Sequence, residues 1–212
     1  MGATLTEYML GIQKRWRVLI PTVKQKGVSL VELVIGLVIL TILLAAGLPS
    51  FALWTQNTQN RTAAESVLSG LQLARNEALR RNVNVRFDLT NASGLISWNV
   101  GCVFVTASCP AIIQSRASNE GTSNARAGAV IGVAATPFST VIAAGAGLPA
   151  GVTFTGLGRV DAANILTDLT RIDITNAVAT GARRMVVTVG TGGATRMCDP
   201  ALSLASNPQG CS

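Results

Sequence analysis

The residues Val28–Leu48 form an apolar run that contains a single charged side chain. As an α-helix with 1.5 Å of rise per residue, this run spans roughly 32 Å, about the hydrocarbon thickness of a bilayer. The one charge is Glu32, close to the start of the run. A charged side chain inside a membrane costs about 2.5–3.5 kcal/mol on insertion scales and usually needs a partner. The run therefore predicts a membrane-anchoring helix whose glutamate has a role.

The distribution of charge predicts the orientation of this helix. The net charge of the chain is +7, and the 27 residues before the apolar run carry +4 of it. Their basic residues are Lys14, Arg15, Arg17, Lys24 and Lys26, opposed only by Glu7. Because positive charge that flanks an anchor stays in the cytoplasm, we expect the domain after the anchor to lie across the membrane.

The four cysteines all follow the anchor, and an even number in an exported domain predicts two disulfides. Four cysteines allow three pairings, of which the short spacings favour Cys102–Cys109 and Cys198–Cys211. The chain has no histidine and no CxxC motif, so a zinc site is disfavoured. We expect no metal and no cofactor.

The absence of histidine also excludes Ser-His-Asp and Cys-His nucleophilic sites. Asp161, Asp168 and Asp173 are scattered over a predicted loop and strand, and nothing pairs them as acid and base. The GTGG stretch at 190–193 lacks the lysine of a phosphate-binding loop. The sequence therefore predicts that the protein is not an enzyme.

The segment 50–82 has apolar residues at helical spacing, which predicts an amphipathic helix that packs one stripe against a domain. The stripe comprises Ala64, Val67, Leu68, Leu71, Ala74, Ala78 and Leu79. After residue 82 the periodicity changes to that of strands, predicted at 83–89, 95–100, 102–105, 152–155, 171–175, 184–189 and 194–198. Residues 114–128 read as a polar loop and 190–193 as a hairpin turn.

Residues 27–32, GVSLVE, resemble the prepilin cleavage motif of type IV pilins and type II secretion pseudopilins. The resemblance implies that a prepilin peptidase cuts after Gly27 and N-methylates Val28, where phenylalanine is usual. Glu32 is then the fifth mature residue and Pro49 the twenty-second, as in many pilins. In the family, this glutamate pairs with the terminal amine of a neighbouring subunit and sets the helix register during assembly.

Later stretches narrow the resemblance to the GspH/FimT family: residues 66–87, FTGLGRV at 154–160, and the cysteine-bounded ending, which is similar to FimT/FimU-type minor pilins. The resemblance implies an α+β, type IV pilin-like fold, with a long N-terminal helix followed by an antiparallel β domain. The implied parts are a leader (1–27), a transmembrane helix half (28–49), an amphipathic helix half (50–82) and a β domain with a disulfide-bounded tail (83–212).

The resemblance implies a minor pilin that helps prime type IV pilus assembly at or near the tip. Its partners would be other minor and major pilins through the N-terminal helix, the prepilin peptidase and the inner membrane. The β domain would be periplasmic before assembly, and the pilus would carry it to the cell surface. A type II secretion pseudopilin is the alternative with the same fold and processing.

DNA uptake is another alternative, since FimT members are implicated in it through a Gly-Arg-x-Arg motif in the final hairpin. In the corresponding stretch, 193–196, only Arg196 matches. The further candidate contacts are Arg159, Arg183 and Arg184, because guanidinium groups bind phosphate well. The chain after residue 27 carries a net charge of only +3, and no aromatic residue lies among these arginines in sequence.

Overall fold

The computed structural model describes residues 27–133 and 135–212, so the predicted leader lies outside the described residues except for Gly27. The chain divides into two compact units, Met1–Ala45 and Ala46–Ser212. One long α-helix, α1 (Leu30–Arg81), contributes residues to both units.

In the first unit, the described part of α1 is apolar on every side. All described residues from 27 to 45 are exposed to solvent. A helix that is apolar all round is stable only when lipid or other helices cover it and keep its side chains from water. The helix is long and apolar enough to cross a membrane, which agrees with the predicted anchor.

In the second unit, α1 buries one stripe of small and aliphatic side chains. The fully buried members recur at the helical period: Ala63, Ala64, Val67, Leu71, Ala74 and Ala78. The predicted stripe is thus buried at most of its positions, although Leu79 at its end is 47% exposed. The abundance of alanine on this stripe lets the helix backbone come close to the sheet beneath it.

The C-terminal end of α1 is closed by a local hydrogen-bond motif. Asn82 takes a left-handed conformation with φ of 52°. The Asn82 N–H donates to the Leu79 carbonyl at 3.4 Å, and the Val83 N–H donates to the Ala78 carbonyl at 3.3 Å. This pair of bonds is a Schellman motif, in which asparagine is the usual substitute for glycine. The helix therefore ends one residue before the predicted boundary.

In the described residues after α1, eight strands form two antiparallel sheets. The first sheet has the order β3-β2-β1-β5, and the second has the order β4-β6-β7-β8. The strands are β1 (Val85–Leu89), β2 (Trp98–Cys102), β3 (Gln114–Arg116), β4 (Ala125–Ile131), β5 (Ala150–Phe154), β6 (Leu169–Asn176), β7 (Met185–Val189) and β8 (Thr195–Cys198). A short 3₁₀ helix, Ala162–Asn164, connects β5 to β6. The predicted α+β fold class is confirmed.

Two of these predictions, one of a strand and one of a loop, are wrong. The stretch 102–105 was expected to be a strand, but β2 ends at Cys102 and the next residues form a disulfide-closed loop. The stretch 114–128 was expected to be a loop, but it contains β3 and the beginning of β4. β3 is an exposed edge strand and β4 is rich in alanine and glycine, so neither shows the apolar alternation that predicts a strand.

The core lies where α1 packs on the sheets, and Gly70 marks the closest approach. A Cβ atom at Gly70 would lie 2.7 Å from the Phe87 ring and 3.2 Å from the Trp98 ring. These two rings are tilted against each other with centroids 5.9 Å apart, and the Trp98 indole N–H donates to the Ser66 hydroxyl at 3.0 Å. Glycine therefore allows two aromatic side chains to lie directly under the helix.

Candidate functional site

The junction between Gly27 and Val28 lies outside regular structure. Both residues are exposed and precede the first residue of α1, Leu30. A Cβ atom at Gly27 would meet nothing within 4 Å, so packing does not require glycine at this position. The peptide bond after Gly27 is thus accessible, as a cleavage site needs to be.

The start of α1 is capped by Ser29, a role that the sequence analysis missed. The Ser29 hydroxyl accepts from the Val31 N–H at 3.2 Å, and the Ser29 carbonyl accepts from the Leu33 N–H at 3.1 Å. Glu32 lies three residues after Ser29, which gives the S-x-x-E spacing of a capping box. That spacing was the signal available in the sequence.

Glu32 itself is exposed in the first turn of the helix. Its carboxylate suits the positive end of the helix dipole, an effect worth about 0.3–1 kcal/mol at an exposed position. Among the residues that the structure describes, no basic side chain forms an ion pair with it. The local geometry thus explains part of its presence and leaves the carboxylate oxygens free to bind another group.

The surface around this site is apolar and is exposed on all sides of the helix. The large apolar side chains in question are Val28, Leu30, Val31, Leu33, Val34, Ile35, Leu37, Val38, Ile39, Leu40, Ile42, Leu43 and Leu44. An exposed apolar surface of this length marks a membrane or protein interaction site. The segment can therefore bind lipid and, equally, the same segment of neighbouring chains.

Two of the four candidate DNA-contacting arginines hold the C-terminal tail. The Arg196 guanidinium donates to the carbonyls of Pro208, at 3.0 Å, and Gly210. The Arg183 guanidinium forms an ion pair at 2.9 Å with Asp199, whose side chain is buried. Arg196 thus spends part of its hydrogen-bonding capacity within the fold, and the charge of Arg183 is paired with a buried carboxylate.

Arg184 and Arg159 lie near opposite ends of β7. Arg184 is mostly buried, pairs with Asp173 and donates to the Thr140 carbonyl at 3.1 Å. Arg159 is exposed in the turn after β5. The N–H of the next residue, Val160, donates to the carbonyl of Thr191, which follows the C-terminal end of β7. The structure therefore does not gather the four arginines into one patch.

Both cysteine pairs favoured by the sequence spacing are bonded in the structure. The bond Cys102–Cys109 closes the loop after β2, and the bond Cys198–Cys211 ties the tail to the end of β8. All four cysteines are buried. The second bond, the Arg183–Asp199 ion pair and the bonds from Arg196 together attach the irregular tail to the domain.

The three aspartates weighed for acid–base chemistry are all engaged in the fold. Asp168 is buried and accepts from Arg86 and from the Thr153 N–H, both at 2.8 Å. Burial alone would lower the pKa of Arg86, but its bonds to Asp168 and Asp88 raise that pKa overall. Asp173 pairs with two arginines, and Asp161 caps the 3₁₀ helix through the Ala163 N–H.

A polar face of α1 that the sequence analysis missed binds the loop between β6 and β7. Asn60 is fully buried, and its amide donates to the Arg183 carbonyl at 2.9 Å. The Asn57 side chain accepts from the Arg183 N–H at 2.6 Å, and the Asn176 amide donates to Gln56 at 2.9 Å. Nothing in the sequence of this polar helix segment indicated that its amides bind another part of the chain, because their partners lie more than 100 residues away in sequence.

A cleft of about 240 Å³ adjoins this polar face within the second unit. It is lined by Trp54, Asn57, Thr58, Arg61, Arg183, Met185, Asp199 and Gln209. Within residues 27–133 and 135–212, no group of three or more metal-ligating side chains of the Cys, Asp and Glu types comes together. The described part of the cleft thus offers hydrogen bonds and charge rather than a metal centre.

A helix that is apolar and exposed at its start, and whose later half packs on antiparallel sheets, is the architecture of a type IV pilin-like protein. A family model described as type II transport protein GspH matches residues 63–193. A second model, described as the prokaryotic N-terminal methylation motif, matches residues 23–48. The chain belongs to the GspH family. The methylation motif covers the Gly27–Val28 junction and Glu32.

Two solved structures are similar to the chain, both of the type IV minor pilin FimU of Pseudomonas aeruginosa strain PAO1. In space group P21, the identity is 18%, the alignment covers 70% of this chain and 95% of that chain, and the TM-score is 0.45. In space group P65, the identity is 18%, the coverage is 67% and 94%, and the TM-score is 0.42. No curated protein sequence matches the chain.

Proposed function

We propose that the protein is a minor pilin that helps prime the assembly of a type IV pilus and lies at or near the pilus tip. The observation that carries the proposal is the exposed apolar helix with its methylation motif, joined to a GspH domain. A long apolar helix at the terminus of a β domain provides a means of lateral assembly. Burial of the exposed apolar residues among neighbouring helices would drive that assembly, at about 25 cal/mol per Å² buried.

In this proposal, a prepilin peptidase cleaves the accessible bond after Gly27 and methylates Val28. Cleavage creates a terminal amine at Val28, one helical turn before Glu32. Glu32 of one subunit then pairs with the amine of its neighbour while both helices leave the lipid. This pairing compensates the cost of a buried carboxylate and sets the helix register.

Before assembly, the chain is a single-pass inner-membrane protein whose β domain is periplasmic. The apolar helix supports the membrane location, and two buried disulfides support an oxidising compartment. After assembly, other minor and major pilins cover the helix, and the pilus carries the domain to the cell surface.

The experiment that tests this function is a count of surface pili by electron microscopy in a deletion strain, with and without pilus retraction. We expect few pili in the deletion strain and restored numbers when retraction is disabled. This pattern would mean that the protein favours pilus assembly over pilus retraction. Normal pilus numbers in the deletion strain would refute a priming function.

A type II secretion pseudopilin is the second candidate, and the observation that favours it is the family model described as a type II transport protein. The helix and its processing site would serve a short periplasmic fibre equally well. Exoprotein release measured in the same deletion strain separates the two candidates. Loss of secretion with normal pili would replace the first proposal with the second.

A further inference from the structure

The loop closed by Cys102–Cys109 exposes three consecutive apolar residues. Val103, Phe104 and Val105 are 43%, 78% and 63% exposed, whereas the two cysteines are buried in the core. An isolated apolar side chain at the surface is ordinary, but a run of three that includes an aromatic residue is a feature of binding surfaces. The disulfide holds the base of the loop inside the domain while its tip remains in solvent.

The loop is held in this position by more than its disulfide. The Val103 N–H donates to the Asn84 carbonyl at 3.0 Å, and the Thr106 N–H donates to the Cys109 carbonyl at 2.9 Å. The Arg81 guanidinium, at the end of α1, donates to the Ser108 carbonyl. Because the loop is already ordered, a partner that binds it would lose little conformational entropy.

Two further exposed apolar side chains lie at the same end of the first sheet. Val85 of β1 pairs with Cys102 of β2 on one side and with Phe154 of β5 on the other. The chain segments that extend beyond this row are therefore neighbours, with strands about 4.8 Å apart. They carry Val83, 38% exposed, and Leu157, 77% exposed. We call the set Val83, Val103, Phe104, Val105 and Leu157 the distal apolar surface.

The border of the distal apolar surface is basic. It contains the four arginines Arg75, Arg80, Arg81 and Arg159, and the two carboxylates Glu77 and Asp161. Glu77 is bound by Arg80 at 2.6 Å and by Arg81 at 2.7 Å, and Asp161 accepts from Asn84 at 3.0 Å. Because four guanidinium groups stand against two carboxylates, the border has a formal excess of positive charge and would attract a partner of negative charge.

The charge of this surface disfavours one occupant, a second copy of the chain. A second copy that bound through the same surface would oppose arginine to arginine, which is unfavourable.

We propose that the distal apolar surface is a docking site for a neighbouring subunit of the fibre whose contact surface is apolar and bordered by Asp or Glu. The proposal rests on the proposed function for the existence of a fibre. Phe104 inserts into an apolar depression of that subunit, and Arg80 pairs with one of its carboxylates. Arg80 is the suitable pairing group because its side chain is 64% exposed and because it shares Glu77 with Arg81, so that one carboxylate faces two guanidinium groups.

The test places a photoactivatable phenylalanine analogue at position 104 of the full chain, in cells that make the fibre. We expect an ultraviolet-dependent adduct whose second component is an N-methylated pilin-like subunit, cross-linked at a peptide that contains Asp or Glu. The same analogue at Val178 is the control, since Val178 is 68% exposed in the loop between β6 and β7. An adduct from position 178 to the same peptide would refute the specificity of the site.

Variants then test the chemistry of the contact. For these variants the photoactivatable analogue is placed at a position near the substituted residue. We expect Phe104→Asp and Arg80→Glu each to lower its adduct yield about tenfold or more, as substitutions of an interface hot spot do. Val178→Asp should leave the yield unchanged. A Lys substitution at the cross-linked carboxylate of the partner should restore the yield with Arg80→Glu. Non-reducing electrophoresis before cross-linking verifies that each variant keeps both disulfides and is folded.

Several results would overturn the proposal: no adduct, a lipid adduct, an adduct between two copies of this chain, or an adduct that nuclease removes. A missing adduct in a strain whose pili depend on the protein would refute the docking site alone. A subunit adduct in a strain whose pili and secretion do not depend on the protein would refute the proposed function alone.

Discussion

At the scale of single residues, the residues of the methylation motif and the candidate arginines behave differently. Glu32 and the Gly27–Val28 junction are exposed, and within residues 27–133 and 135–212 no basic side chain pairs with Glu32. Arg183, Arg184 and Arg196 are engaged with the tail and with buried carboxylates. The residues that the cleavage motif singles out are therefore available for interaction, whereas three of the four candidate DNA contacts stabilise the domain.

Glu32→Gln removes the carboxylate charge and keeps the size of the side chain. We expect normal cleavage and normal amounts of the protein in the membrane, because the bond after Gly27 and the Ser29 cap are unchanged. The amount recovered in sheared fibres should fall several-fold, since the pairing with a neighbouring amine is lost. Quantitative immunoblots of the two fractions give the result, with Glu65→Gln, an exposed acid elsewhere on α1, as the matched control.

Arg196→Ala tests the two interpretations of Arg196 against each other. Loss of two bonds to tail carbonyls should lower the free energy of unfolding by about 1–3 kcal/mol, the usual range for bonds from a charged donor. Arg159→Ala, at an exposed turn, should change it by less than about 0.5 kcal/mol. Thermal unfolding of the detergent-solubilised chain gives both values.

The same variants test DNA binding in a mobility-shift assay at physiological salt. A shift that Arg196→Ala abolishes while the protein stays folded would support a DNA contact. No shift at low salt with the unaltered protein would remove DNA binding as a function, because electrostatic binding is strongest there.

At the scale of elements, α1 unites three kinds of surface. It begins as an exposed apolar helix, continues with a polar face that binds the β6–β7 loop, and ends in a Schellman motif beside the disulfide loop. Its buried stripe is made largely of alanine, so the contact with the first sheet depends on close packing of the backbone. Substitutions on the sheet side of α1 should therefore be sensitive to volume.

Gly70→Ala adds one methyl group where α1 contacts Phe87 and Trp98. Alanine favours helix by about 1 kcal/mol over glycine, but overpacking of a core costs about 1–3 kcal/mol. We expect a net loss of about 1 kcal/mol in the free energy of unfolding, because both rings are buried and have little room to move. Gly192→Ala, where a Cβ meets nothing within 4 Å, is the control and should change stability little. A stabilised Gly70→Ala protein would contradict the close packing.

The end of α1 should respond to acid through Glu77. Hydrogen bonds from Arg80, and then from Arg81, lower the pKa of Glu77 below its ordinary value despite partial burial. A lowered folded pKa contributes stability above about pH 4.5, and this contribution is lost as the pH falls through the folded value. Glu77→Gln should therefore reduce the acid dependence of unfolding by up to about 1 kcal/mol, the scale of two helical ion pairs. Denaturant unfolding from pH 3 to pH 7 measures it, and an unchanged slope would contradict the ion-pair geometry.

At the scale of the whole molecule, the described residues combine an anchor that needs lipid or neighbours with a domain that needs an oxidising compartment. The domain contains no free cysteine among its described residues. A chain that inserts with its basic leader in the cytoplasm exposes the domain to that compartment before any fibre forms. In the proposed function, orientation in the membrane therefore comes first, disulfide formation second and assembly third.

This order predicts the thiol content of the full chain in cells. After rapid alkylation with a maleimide–polyethylene glycol reagent, we expect no mass shift before reduction and four additions after it, one for each cysteine. Cys198→Ser should leave Cys211 unpaired and give one addition before reduction. Alkylation of the unaltered chain before reduction would contradict export of the domain.

The sequence by itself determined the long apolar helix, the methylation motif, the helix stripe, most strands and the disulfide pairing, because each depends on local composition or short spacing. The tertiary structure alone decided the partners of the arginines and the buried amide of Asn60, because those partners lie far away in the chain. It also decided that residues 103–105 form an exposed loop instead of a strand, since Cys102 and Cys109 are both drawn into the core. Apolar periodicity records which side of an element is buried, but not where the chain must turn to bring two distant groups into contact.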